Sequence, residues 1–440
     1  MSKEKMQAVV LFCLLAVLTF LVYGKTIVEV SSLPGAAKRG SLVAVKLHLM
    51  FGADVNAVQP GYKTPLEEAL YIWVNPAVVH EILNYRPDRT MLVDKGQSLL
   101  VKAMRWFDSA KQPSDKTIEV LKRLIEFGED VNASDGYTTP LFTAVNLNRS
   151  DLISFLLAAG ADPTLIIELP GSGIERTIFD ALNFSRSGEI VEILLKSGKG
   201  LNPEAFMQTA IRAQNMEAIR LLAAKGVSLN TPDPRNETVP LMTVAQSFTE
   251  AQVKEFVELG ADINIVDRFG RNVLATCIQY DKYDLARYFI SKGVDVNYVD
   301  NFGESLLSYF IDKQVKPKNL DEFMNQMAFL TFLKKKGLNL SHRNPNNGRT
   351  AIMQGIMRQN QNFWLRLLIE SDEIDNNIQD NEGKTALMYA IERKNIELIE
   401  KLLEKTDRSI RDNKGQTALD YAIETDSAAL INLLKTGKKQ

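Results

Sequence analysis

The sequence predicts an all-α repeat protein, a solenoid of helix-turn-helix units that each end in a hairpin-like finger. Three observations carry that prediction. First, a glycine followed by an acidic residue, an aliphatic residue and asparagine recurs along the chain. It reads Gly52-Ala-Asp-Val-Asn56, Gly128-Glu-Asp-Val-Asn132, Gly160-Ala-Asp-Pro-Thr164, Gly226-Val-Ser-Leu-Asn230, Gly260-Ala-Asp-Ile-Asn264, Gly293-Val-Asp-Val-Asn297 and, degenerate, Gly337-Leu-Asn-Leu-Ser341. Second, another mark runs out of phase with it, at Thr64-Pro-Leu66, Thr139-Pro-Leu141, Val239-Pro-Leu241, Asn272-Val-Leu274, Ser305-Leu-Leu307, Thr350-Ala-Ile352, Thr385-Ala-Leu387 and Thr417-Ala-Leu419. Third, successive marks such as 239, 272 and 305 fall about 33 residues apart, a period in the range of stacked repeats. A chain of 440 residues would otherwise suggest about three separate domains, and those would not share one period.

Each element has a mechanical reason. Thr-Pro before an apolar residue starts a helix, because the threonine oxygen caps a free backbone N–H and proline at the first helical position has none to leave unpaired. Apolar residues and alanine then face a neighbour at helical spacing, as in Leu387-Met-Tyr-Ala390-Ile391 and Leu419-Asp-Tyr-Ala422-Ile423. After a short turn, a second helix repeats apolar residues three and four apart, as at Ile396, Ile399, Leu402 and Leu403. The following glycine supplies the left-handed residue that ends it. Asp and Asn in the finger can hydrogen-bond their own turn backbone.

At these residues the chain resembles the ankyrin repeat, with its Asp-x-x-Gly-x-Thr-Pro-Leu-x-x-Ala, second helix and Gly-Ala-Asp-Val-Asn. The unit from Asp267-Arg-Phe-Gly270 to Gly293-Val-Asp-Val-Asn297 follows that layout nearly throughout, as does Asn381-Glu-Gly383-Lys-Thr-Ala-Leu-Met-Tyr-Ala390. The histidine that the family often carries after Leu is missing everywhere, and units near 60–132, 165–200 and 303–341 are degenerate or carry insertions. Counting one helix start per unit predicts about twelve repeats over residues 33–436, followed by a polar tail at 437–440. Between Gly293 and Gly337 the 44-residue spacing is about 11 too long. The excess is expected as a loop or helix extension around Val315-Lys-Pro-Lys-Asn319.

Residues 1–24 stand apart from the repeats, with a short linker at 25–32. Lys3 and Lys5 lead into the uncharged run Met6–Gly24. Such a run spans about 28 Å as a helix, close to the roughly 30 Å hydrocarbon core of a bilayer. Two readings fit: an uncleaved membrane anchor, favoured by the long run, and a signal peptide cleaved after Gly24. Lys25, Lys38 and Arg39 nearly balance the cations before the run. The five-residue polar start nevertheless predicts that the body lies outside the cytoplasm, in the cell envelope, or is periplasmic or secreted after cleavage. Cys13 follows bulky Phe12, where a lipidated signal would place a small residue.

Composition leaves little room for catalysis. Two cysteines, Cys13 and Cys277, exclude a disulfide framework or thiolate zinc site, and His48, His80 and His342 form no metal-binding spacing. With 52 basic against 54 acidic residues, no excess charge points to nucleic acid. Gly35-Ala-Ala-Lys-Arg-Gly40-Ser41 lacks the lysine of a phosphate loop and fits the first repeat better, while Gly171-Ser-Gly173 reads as a lengthened finger. Cys277 is expected as a buried packing residue. Trp73, Trp106 and Trp364 are expected in core or inter-repeat packing. Lys334-Lys-Lys336 suits a helix C-terminus.

The resemblance implies a non-enzymatic protein–protein interaction scaffold with no cofactor or metal, tethered to or exported across a membrane. Exposed aromatics at finger tips are the candidate contacts, because aromatic side chains anchor interfaces: Tyr62, Tyr137, Phe269 and Phe302. The alternative for these rings is packing along adjacent fingers. Two other functions stay open: a ligand-binding protein or enzyme with its site in an irregular segment such as 165–200 or 312–328, and a secreted effector.

Overall fold

The computed structural model describes residues 22, 32–71, 75–88, 91, 98–109, 114–182, 188–312, 319–358 and 363–436. The apolar run Met6–Gly24 falls outside this set except for Val22, as do Trp73, the tail 437–440 and most of the excess around Val315. Among the described residues no helix is long and apolar enough to cross a membrane. The chain divides into two compact units, Met1–Val227 and Ser228–Gln440.

Unit 1 runs α1 (Leu33–Lys38), α2 (Leu42–Met50), α3 (Pro65–Tyr71), α4 (Pro76–Asn84), α5 (Leu99–Ser109), α6 (Ser114–Phe127), α7 (Pro140–Asn146), α8 (Ser150–Ala158), α9 (Ile178–Leu182), α10 (Gly188–Lys196), α11 (Pro203–Arg212) and α12 (Met216–Ala224). Between α8 and α9 the antiparallel strands β1 (Ile167–Glu168) and β2 (Glu175–Arg176) pair, so the Gly171-Ser-Gly173 segment is a lengthened finger. Unit 2 runs α13 (Pro240–Ser247), α14 (Glu250–Glu258), α15 (Val273–Gln279), α16 (Tyr283–Ser291), α17 (Leu306–Asp312), α18 (Leu320–Lys335), α19 (Ala351–Met357), α20 (Phe363–Glu370), α21 (Ala386–Glu392), α22 (Ile396–Leu403), α23 (Ala418–Glu424) and α24 (Ala428–Thr436). α18 is 16 residues long, so the predicted excess is in part a helix extension.

Odd-numbered helices pack on odd-numbered neighbours within each unit. Even-numbered helices do the same throughout unit 1 and again from α20 to α24. The shared apolar side is what holds the stack, since no single helix pair can bury its own. Leu141, Ala144, Ile153 and Leu156 are buried in unit 1, and Leu387, Ala390, Ile399 and Leu402 occupy the corresponding places in unit 2.

The starts and stops follow the local chemistry. Thr139 accepts from Phe142 N and precedes Pro140, Thr350 caps Met353 N, and Thr417 forms a capping box with Asp420. The glycines that end the second helices, Gly52, Gly160, Gly260 and Gly293 among them, all have positive φ. The short turn between paired helices carries a demand that sequence patterning misses. Asn148, Gln214, Asp281, Lys394 and Asp426 are left-handed there, at φ between 52° and 58°. Gly40 takes the same conformation in the first pair.

Candidate protein-interaction surface

The fingers are built from short carboxylate-closed turns. In unit 2 the backbone N–H of Asp267 donates to Arg271 O at 3.0 Å, and the same pairing joins Asp300 to Glu304, Asp380 to Lys384 and Asp412 to Gln416. The aspartate Oδ1 accepts two further backbone N–H groups inside each turn, for example those of Phe302 and Glu304 at Asp300. The second oxygen, Oδ2, accepts from a tyrosine nine residues on: Tyr309 to Asp300 at 2.5 Å, Tyr389 to Asp380 at 2.5 Å and Tyr421 to Asp412 at 2.7 Å. These three fingers are each thereby tied to their own first helix, whereas Oδ2 of Asp267 accepts from Arg271 of the same finger. Burial, with Asp380 close by, pushes the Tyr389 phenol up to about 12. At Asp412 burial opposes ionisation, yet the donors from Tyr421, Gln416 and Lys414 hold the carboxyl below its ordinary value.

Neighbouring fingers are joined twice. At the base, the finger asparagine accepts from a backbone N–H just past the next second helix, two residues after Gly160, Gly260 or Gly337 in three cases and after Arg86 and Lys405 in the other two. In unit 1 Asn56 meets Asp88 N and Asn132 meets Asp162 N; in unit 2 Asn230 meets Asp262 N, Asn297 meets Asn339 N and Asn377 meets Asp407 N. At the tips of unit 2, Asn301 N donates to Phe269 O, Asn381 N to Asn347 O and Asn413 N to Glu382 O, each at 3.0 Å. One finger has Pro345 where that donor should stand, and proline has no N–H. There the side-chain amide of Asn344 donates to Phe302 O at 2.7 Å and keeps the row unbroken.

The tip glycines allow this approach. A Cβ on Gly383 (φ +77) would lie 2.6 Å from Asn413 Oδ1, and one on Gly303 (φ +76) 2.4 Å from Asn344 Oδ1.

The four sequence-predicted aromatics separate into a pair and two single residues. Phe269 is half-buried and Phe302 is 58% exposed; their rings pack on adjacent fingers with centroids 6.2 Å apart. Packing between fingers and exposure at the tips therefore coexist. The guanidiniums of Arg268 and Arg271 lie over the Phe269 ring at 4.6 and 4.9 Å. Tyr137 stands at a unit 1 tip, 58% exposed, and Tyr62 is half-buried with the Lys38 ammonium 5.2 Å above its ring.

Beside the Phe269 finger, α13 and α15 line an open groove with Met242, Thr243, Gln246, Thr276, Gln279 and Tyr280. Arg271 sits at its rim, held by Asp267 through Nε at 2.7 Å and Nη2 at 2.6 Å. Patterning along the sequence gave no sign of this groove, because its residues come from two repeats and none is unusual in type.

The predicted packing residues take inward places. Cys277 is fully buried, and burial pushes its thiol up to about 12, so it remains protonated. Trp364 is buried against Phe310 and Phe323 and donates from Nε1 to Gln326 at 3.0 Å. Trp106 is half-buried, edge-on to Tyr71. His48 is buried on α2, and His80 lies half-buried on α4, 3.6 Å from Glu119. Among the described residues no cluster of His, Cys, Asp and Glu is arranged to hold a metal.

Paired helices closed by hydrogen-bonded fingers define the class: an all-α ankyrin-repeat fold. Residues 322–412 and 373–440 match the family described as ankyrin repeats (3 copies). The chain is 27% identical over 181 residues to the putative palmitoyltransferase ZDHHC13 of Danio rerio, covering 39% of this chain and 27% of that protein. It is 29% identical over 173 residues to the ankyrin repeat and KH domain-containing protein mask-1 of Caenorhabditis elegans, covering 38% of this chain and 6% of that one. It thus spans about a quarter or less of these curated relatives. Among solved structures, the ankyrin repeat domain of Bcl-3 aligns over 54% of this chain and 99% of its own, at 19% identity and TM-score 0.43. A chain of the Bd0816 predatory endopeptidase from Bdellovibrio bacteriovorus in complex with immunity protein Bd3460 aligns over 45% of this chain and 97% of its own, at 24% identity and TM-score 0.36. Ankyrin repeats imply a protein–protein interaction domain.

Proposed function

We propose that this chain is a non-catalytic scaffold of twelve ankyrin repeats, held at a membrane or exported across one by residues 1–24, which recognises another protein through its finger tips. The body lies outside the cytoplasm in this reading. Twelve successive helix pairs among the described residues support the count, and the uncharged run Met6–Gly24 supports the address.

One observation carries the binding reading. Phe269 and Phe302 stand side by side on fingers whose backbones are hydrogen-bonded to each other, so the aromatic pair is presented without loop-ordering cost. The adjoining groove and Arg271 extend that surface on one side. Tyr62 and Tyr137 are the candidate contacts of unit 1.

The test is affinity capture with the full chain, followed by titration of the captured partner against the Phe269→Ala/Phe302→Ala double variant. Loss of both rings should weaken binding by roughly tenfold or more, as expected for an interface anchor, with the thermal melting profile nearly unchanged. Equal affinity with a lowered melting profile would make the pair a structural brace and remove it from the interface.

A further inference from the structure

The outer face of α2 departs from that of every other nine-residue second helix among the described residues. Seven other second helices are also nine residues long: α4, α8, α10, α12, α14, α16 and α24. Their second positions hold Ala77, Asp151, Glu189, Glu217, Ala251, Asp284 and Ala429, and their ninth positions Asn84, Ala158, Lys196, Ala224, Glu258, Ser291 and Thr436. Nothing apolar larger than alanine occurs at either place. α2 has Val43 and Met50 there, 63% and 61% exposed, and Phe51 extends the ridge at 40%. Lys46 lies between them on the same face and is exposed, with Glu81 3.8 Å from its ammonium. An outward stripe of large apolar side chains around a cation is unexpected on a terminal repeat, which ordinarily presents a polar cap.

We infer that this ridge seats on the surface of the bilayer that holds the N-terminal apolar run. The inference rests on the anchoring reading above and adds an orientation to it. Tether length is the first argument. Only eight residues, 25–32, separate Gly24 from Leu33, so a run embedded in the membrane keeps α1 within about 29 Å of it. Chemistry is the second. Val43, Met50 and Phe51 suit the boundary between headgroups and acyl chains, while Lys46 and the exposed Arg39 suit lipid phosphates. Size is the third. Three apolar side chains are far short of the standard protein interface of about 1,600 Å², but a tethered face needs little intrinsic affinity, because the anchor supplies the local concentration. Seated this way, the first repeat cannot swing freely on its linker.

The experiment uses the full chain with Cys13→Ser, reconstituted into vesicles of phosphatidylcholine with phosphatidylglycerol. Cys277 is buried, so a spin label introduced through Val43→Cys reports α2, and one through Ser154→Cys reports the outer face of α8 as a control. The label at 43 should lose most of its access to an aqueous nickel chelate and gain access to oxygen relative to the label at 154. Adding Met50→Asp should restore nickel access with the helical circular-dichroism signal unchanged. Equal nickel access at 43 and 154, in vesicles that retain the chain through a carbonate wash, would overturn the docking and leave anchoring intact. Release of the chain by that wash would overturn both. Spin–spin broadening at position 43 would assign the ridge to a second copy of the chain, and the lipid assignment would fall.

Discussion

The two units use the same finger and secure it differently. Unit 1 joins its fingers at the base, through Asn56 and Asn132, and among the described residues its tips at 59–62, 135–138 and 170–173 share no backbone hydrogen bond. Unit 2 has the basal bonds and adds a continuous row along the tips from Phe269 to Asn413. The junctions with the first helices differ too. Unit 2 seats Asp300, Asp380 and Asp412 on tyrosine hydroxyls. Unit 1 places the buried carboxylates Glu67 and Glu68 near the ammoniums of Lys102 and Lys38, each at 3.6 Å. An ion pair half-removed from water recovers little net energy after desolvation. A phenol donating to a carboxylate is among the stronger hydrogen bonds. The comparison teaches that a repeat can tolerate loose tips provided its helices stack, and that tied tips are an additional investment made in one unit.

The sharpest way to break this contrast is a matched pair of glycine substitutions. Gly61 and Gly383 are tip glycines at φ +81 and +77, but a Cβ at 61 meets nothing within 4 Å whereas one at 383 strikes Asn413. Gly61→Ala should cost only the left-handed backbone, about 1–2 kcal/mol. Gly383→Ala should add an overpacking cost of about 1–3 kcal/mol. Hydrogen exchange resolved by unit would measure both, and equal losses would show that the row of tip bonds contributes nothing.

A smaller effect is expected from Tyr389→Phe, which leaves Asp380 without its phenol donor. Because Arg349 and two backbone N–H groups remain near that carboxylate, the loss should fall at about 1.5–3 kcal/mol. Denaturant midpoints would measure it, and a change within error would shift the weight of the junction to the backbone.

Smallest is the acid response of unit 2. Asp412 is held below its unfolded value, so its contribution is fully present above about pH 4 and disappears as pH falls through the lower, folded value. The Asp412→Asn variant should therefore lose stability at neutral pH and show a flatter decline between about pH 4 and pH 2. An acid limb parallel to that of the parent chain would count against a protonation-linked finger.

Much of the fold was legible because its constraints are local. A glycine at positive φ after most second helices, threonine caps and aspartate-closed turns need only a few neighbouring residues, and each was readable from Gly52, Thr139 or Asp267. Cross-repeat bonds were not, since the partner of Asn297 lies 42 residues away and depends on how repeats stack. The left-handed turn residues escaped for another reason. Gln214 and Lys394 carry no sequence mark of that conformation, which the tight helix connection imposes on whatever side chain is present. For the surface, residue type alone selected Phe269 and Phe302 but did not place them together. The apolar ridge of α2 becomes visible only once the helices are aligned position by position.

The amide of Asn344 has an effect beyond its own finger. Aspartate serves at 267, 300, 380 and 412, yet at 344 it would fail, because a carboxylate cannot donate to Phe302 O and the following proline cannot either. Positions 344 and 345 are therefore chemically coupled. An engineer regularising the repeats toward aspartate would have to replace Pro345 in the same step, or would open the row at its middle.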